Sequence, residues 1–194
     1  MSRFVLILVA FLPLSLGGAS TTNTNQAPFG IKWGHSKEPQ TIEGFRYNYG
    51  TPKWGAVRYL AESDIYDFQA ELVLYYTGQM LRSVVLILGP GGINNVNCTE
   101  RYKEILSLLN KKYGHYLFQS TEVDSDMSEL FYTRVCTPVS VGLKSVTTTW
   151  KTPQYQVEAI LFGDEDTGEI FIEVDYMRSP RGLDRQDNRL YKML

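Results

Sequence analysis

Histidine is nearly missing from this chain: its 194 residues contain two, His35 and His115. A general base needs an orienting partner and a nucleophile beside it, and neither histidine has such company in the sequence. Ser36 next to His35 is no catalytic pair, because neighbours in sequence rarely reach triad geometry. Cysteine is just as scarce. Cys98 and Cys136 lack the C-x-x-C spacing of redox motifs and zinc ribbons, so redox and metal chemistry are the weaker readings. No excess of charge is present either. Lys and Arg number 19 against 21 Asp and Glu, a formal charge of −2, which lacks the basic balance expected of a nucleic-acid partner. Beyond the first 16 residues no apolar run is long enough to cross a bilayer, so no transmembrane segment is expected in the mature chain.

The N-terminus shows what is there. Residues 1–20 read MSRFVLILVAFLPLSLGGAS, with Arg3 as the only charge, an apolar run from Phe4 to Leu16, then Gly17, Gly18 and Ala19. A positive start, a short apolar core and small residues before a cut form a secretory signal peptide, expected over 1–19 with cleavage after Ala19. The expected destination is exported, periplasmic or secreted. In an oxidising compartment an even, small cysteine count points to a Cys98–Cys136 disulfide; two buried thiols are the alternative.

Residues 20–28 (STTNTNQAP) are too polar to fold and read as a flexible leader. A single domain is expected over 29–177, with a polar C-terminal tail over 178–194. Phe29, Ile31 and Trp33 alternate as in a short strand. DFQAELVLYY and LRSVVLILG, joined by TGQM, form a hairpin, and Val84 to Leu88 reads as a central strand. Asn97 or Thr99 caps a helix, Asn97 with Glu100 resembles a capping box, and Tyr102, Ile105, Leu106 and Leu109 give it one apolar face up to Gly114. FYTRVC alternates as a strand, SVTTTWKTPQYQVEAILF reads as two strands about Thr152 and Pro153, and GDEDTG turns AILF back into EIFIEVDY. The economical fold is α+β, an antiparallel sheet with one main helix packed on one face.

Three stretches, FGIKWGHS, AELVLYYTGQMLRSVVLIL and YKEILSLLNKKYG with the later TTTWKTPQYQVEAIL and IEVDY, resemble small exported bacterial proteins. Their helix-plus-sheet layout is similar to the BamE/SmpA and β-lactamase-inhibitor-like group. The resemblance implies binding or envelope-assembly roles and carries no catalytic residue. Pro39 and Gly44 interrupt the helix expected after the glycine–serine opening, which leaves at most a degenerate tandem of two helix-plus-hairpin halves.

The candidate site is the stretch FRYNYGTPKWGAVRYL, dense in aromatics and arginine. Tyr, Trp and Arg anchor protein interfaces, so Arg46, Tyr47, Tyr49, Trp54 and Arg58 are the expected binding residues; packing of the aromatics in the core is the alternative. Alternation along a regular strand would put Phe45, Tyr47 and Tyr49 on one side and Arg46 and Asn48 on the other. Asp164, Glu165, Asp166 and Glu169 cluster without EF-hand spacing and read as solvated turn carboxylates, with no metal site. The expectation is a non-enzymatic protein-binding module of inhibitor, immunity or envelope-assembly type. Its partner would be another protein of the cell envelope, with no cofactor and no catalytic residue. The alternatives are a small periplasmic hydrolase using carboxylates such as Asp164, Glu169 and Asp175, and a carrier of lipid or another hydrophobic ligand.

Overall fold

The computed structural model describes residues 27–65, 68–89, 93–123, 135–152 and 155–178. The expected signal peptide and most of the expected leader and tail lie outside them. Ala27 and Pro28, assigned above to the leader, are buried, and the last strand runs on to Arg178, into the stretch assigned to the tail.

Eight strands form one antiparallel sheet: β1 (Phe45–Thr51), β2 (Ala56–Ala61), β3 (Gln69–Thr77), β4 (Met80–Gly89), β5 (Phe118–Val123), β6 (Lys144–Lys151), β7 (Tyr155–Gly163) and β8 (Ile170–Arg178). Their spatial order is β1-β2-β3-β4-β8-β7-β6-β5. Two four-stranded meanders therefore meet where β4 pairs with β8. The halves suggested by the sequence are meanders rather than helix-plus-hairpin units. Between them lies α1 (Cys98–Tyr113), and α2 (Cys136–Ser140) precedes β6. The β3–β4 turn is a two-residue loop in which Gly78 and Gln79 both take positive φ (54° and 68°), the twist that right-handed strands favour in a hairpin.

Cross-strand partners share a face, so the registers define two adjacent rows that each cross all eight strands. One runs Tyr47, Tyr59, Leu72, Leu86, Val174, Ala159, Thr148, Gln119. Its middle six residues are 0–3% exposed. Both described α-helices lie on this side. Tyr102 of α1 donates its hydroxyl to the Ala159 carbonyl at 2.7 Å and lies 3.0 Å from Thr148 Oγ1. Trp150 on β6 donates from Nε1 to Asn110 Oδ1 and to the Gly114 carbonyl, both at 3.1 Å, which fixes the C-terminal end of α1. α2 is tied to α1 by the Cys98–Cys136 disulfide (Cα–Cα 5.7 Å). It comes so close to β7 that a Cβ on Gly163 would strike the Val139 carbonyl. The 27–44 segment closes the same side, with Phe29 edge-on to Phe45 and Tyr176 at 5.8 and 6.0 Å.

Several local expectations change. Ile31 and Trp33 are buried (1% and 3%) as alternation requires, but Pro28–Gly30 forms a 3-10 turn with Phe29 at φ 62°, and no strand forms there. The capping box is absent: Asn97 precedes α1 without a side-chain cap, and its Oδ1 accepts the Asn94 N–H at 2.8 Å. Cys136 opens α2 instead of ending a strand, and Phe131 and Thr133 lie outside the described residues. β5, which sequence reasoning left unassigned, is an edge strand of mostly polar residues. No described helix is long and apolar enough to cross a membrane.

Candidate functional site

The second row, one residue along from the first on β2 to β8 and two along on β1, runs Tyr49, Arg58, Val73, Val85, Asp175, Glu158, Thr149, Phe118. It occupies the opposite face, over which neither described α-helix packs, and is helix-free in that sense. A register irregularity between Tyr47 and Tyr49 decides which predicted residues reach it. Tyr47 pairs with Tyr59 and Tyr49 with Arg58, so Asn48 is the extra residue of a β-bulge. Counting residues two by two therefore fails here. Tyr47 lies on the helix side, edge-on to Tyr59 at 6.1 Å, and donates its hydroxyl to the Gly50 carbonyl at 2.9 Å. Tyr49 sits on the helix-free face with Arg46, whose partner is Leu60, and with Arg58. The shared environment expected for Tyr47 and Tyr49, with Arg46 pointing away, is thus corrected: Tyr49 and Arg46 share a face and Tyr47 leaves it. Trp54 lies outside both rows, 77% exposed in the 3-10 turn Pro52–Trp54.

Arg58 links the predicted stretch to the rest of the face. Its guanidinium lies 5.8 Å from the Tyr49 ring centroid and 3.0 Å from Glu71 Oε1. The hydrogen bond to Glu71 raises its pKa above the usual arginine value. Towards the middle of the sheet the face becomes acidic. Asp175 on β8 is the direct partner of Glu158 on β7, and Glu173 lies two residues along the same strand on the same side. Burial, then the charges of Glu173 and Glu158, push Asp175 up to about 7, against a hydrogen bond from Ser83 that favours the ionised form. Its Oδ1 is buried with no hydrogen-bond partner. Burial also raises Glu173. Glu158 accepts the Gln156 amide at 2.7 Å.

Apolar side chains surround these carboxylates. Val73 and Val85 are buried, and Ile87, Ile160, Phe162, Phe171 and Met177 are half-buried. Phe162 and Phe171 stack with centroids 5.6 Å apart. They form one wall of a groove of about 610 Å³ that Glu71 and Ile87 also line and the Gly163–Asp166 loop rims. The solvent side of an antiparallel sheet is ordinarily polar; this one mixes aliphatic and aromatic groups with partly desolvated acids.

Asp164 and Glu169 adjoin across the β7–β8 turn, where the Asp164 N–H donates to the Glu169 carbonyl at 2.9 Å, but Asp175 is not brought to them. Asp164 is exposed, and its Oδ1 accepts the Asp166 and Thr167 N–H groups (2.9 and 3.0 Å), which lowers its pKa. Glu169 and Asp175 stand six residues apart in the chain that extends into β8, roughly 20 Å at strand rise. Both histidines are exposed. Among the described residues, no group of three or more His, Cys, Asp or Glu has the geometry to hold a metal ion. Sequence reasoning missed Glu158 and Glu173. Their signal was present as polar–apolar alternation in QVEA and FIEVD, but it is the signal of any one-sided strand. No family model, curated protein or solved structure matches the chain.

Proposed function

We propose that this protein is an exported, periplasmic or secreted, protein-binding module with no catalytic role, and that the helix-free face of its sheet is the binding surface. The observation that carries this is the Tyr49-to-Phe118 row with its central carboxylates. A half-buried acid whose pKa is driven up by desolvation and like charge costs stability, and such groups cluster at functional sites. Aliphatic and aromatic side chains beside it offer area to a partner, and Tyr49, Arg46 and Arg58 supply anchors at the β1–β2 margin. The resemblance to small exported envelope proteins favours an inhibitor, immunity or envelope-assembly role.

Site-specific photo-crosslinking tests this. A crosslinker at Ile160 or Met177 in the exported protein is expected to trap a defined partner from the envelope fraction, and one at Lys111 on α1 to trap none. Absence of a crosslinked species at both face positions, or the same species from Lys111, would remove the reading.

A further inference from the structure

The helix-free face carries charge of one sign where it is most enclosed. Asp175 and Glu158 stand directly opposite each other on neighbouring strands, with Glu173 two residues from Asp175 on the same side. Val85 and Ile87 border them on β4 and Ile160 on β7. Arg58 lies in the same row, but its charge is already matched by Glu71 at 3.0 Å. The unpartnered, buried Oδ1 of Asp175 is an acceptor that lacks a donor. The stacked Phe162 and Phe171 sit on the same face, by the groove.

We propose that the partner docks on this face through a cationic segment, a lysine or arginine flanked by apolar side chains, with the cation over Glu158, Glu173 and Asp175 and an apolar neighbour against Phe162 and Phe171. This rests on the reading of the face as the binding surface and names the chemistry of what binds there. An ammonium or guanidinium supplies the missing donor and the missing counter-charge together, and such charge-assisted bonds are the strong ones. The alternatives meet repulsion. A second copy of this chain would set carboxylate against carboxylate, and anionic lipid headgroups or nucleic acid would bring like charge to the same place. A purely apolar partner would bury three acids without compensation, which is costly.

The test uses the chain from Ser20 to Leu194 and two fluorescent 14-residue peptides of helical amphipathic pattern, one of lysine and leucine and one with glutamate replacing every lysine. At low salt, anisotropy titration is expected to give at least tenfold tighter binding of the lysine peptide, with the difference shrinking as salt screens it. Glu158→Gln with Glu173→Gln is expected to weaken the lysine peptide about tenfold. Glu100→Gln with Glu104→Gln, exposed carboxylates of α1 on the other side of the sheet, is expected to leave binding within twofold, with unchanged melting of both double variants showing that the fold is kept. Equal binding of the two peptides, or an equal loss from the Glu100 and Glu104 pair, overturns the proposal. A chain ending at Arg178 that binds the lysine peptide tenfold better than the full one also overturns it. The basic stretch Arg181, Arg185, Arg189 and Lys192 would then be the occupant. Failure here with a crosslinked partner still trapped at Ile160 or Met177 removes the cationic chemistry and leaves the binding reading intact.

Discussion

Two rows of side chains, offset by one residue on every strand but β1, where the bulge makes it two, experience opposite fates in this molecule. The Tyr47-to-Gln119 row ends exposed at both margins, but its middle is a dry core of Tyr59, Leu72, Leu86, Val174 and Ala159 under the α1 side. The Tyr49-to-Phe118 row also ends in exposed aromatics, 54% accessible at each end, yet its middle holds Asp175 and Glu158. Both rows belong to the same strands and share one backbone. Stability is therefore concentrated on one face, and on the other the protein keeps groups that weaken it. A sheet supported on one face can keep destabilising groups on the other, which is what the proposed binding role requires.

The contrast can be broken from either side. Trp150→Ala removes a side chain that is 1% exposed and anchors the end of α1. Chemical denaturation is expected to show a loss of about 3–5 kcal/mol; a loss under about 1 kcal/mol would mean that the helix side is not the stabilising one. Opening the disulfide tests how firmly the short α2 is held there. The loop spans a sequence separation of 38, for which chain entropy gives about 4 kcal/mol, so Cys98→Ala with Cys136→Ala is expected to lower the melting temperature well beyond either exposed-aromatic variant below.

On the helix-free face the sign reverses. The folded pKa of Asp175, about 7, stands above its ordinary value of 3.8. The folded state thus holds a proton that the unfolded chain has released between those values. The stability associated with Asp175 is fully present below about pH 4, falls as pH rises through 7 and is flat above. Asp175→Asn is expected to remove that slope and to stabilise the protein at pH 8 by on the order of 2–4 kcal/mol. A variant no more stable than the parent at pH 8 would show that Asp175 is well solvated. Tyr102→Phe, which deletes the hydroxyl bound to the Ala159 carbonyl, is expected to cost about 1–3 kcal/mol. The smallest effects belong to Tyr49→Ala and Trp54→Ala, within about 0.5 kcal/mol in thermal melts because both rings are exposed. A drop of several degrees in either would make them packing residues and leave Arg46 and Arg58 as the anchors at that margin.

Much of the sheet could be read without coordinates. Apolar alternation in EIFIEVDY gives the two faces of β8, and the TGQM turn between two β-rich runs gives β3 and β4, because a period of two is set by the pleat itself. α1 was legible from Tyr102, Ile105 and Leu109 at helical spacing. β5 was not, because FQSTEV lies at the sheet edge and has almost no apolar face to show. The short α2 was not, because CTPVS is held by the disulfide and by its contact with Gly163 rather than by local propensity.

The candidate site divides along the same line. The sequence determines which residue types are present: the aromatic–arginine stretch, the apolar–acid alternation of the last strand, the two cysteines. Tertiary structure decided their company. One extra residue at Asn48 moved Tyr49 onto the face of Arg46 and Arg58 and left Tyr47 on the other, a switch that follows from two-residue periodicity and cannot be seen until the partner strand is placed. Asp175 and Glu158 lie 17 positions apart in the sequence. They meet only because β7 and β8 pair in that register, and the pKa of Asp175 rises first because the packed sheet removes water from around it and then because Glu173 and Glu158 stand beside it.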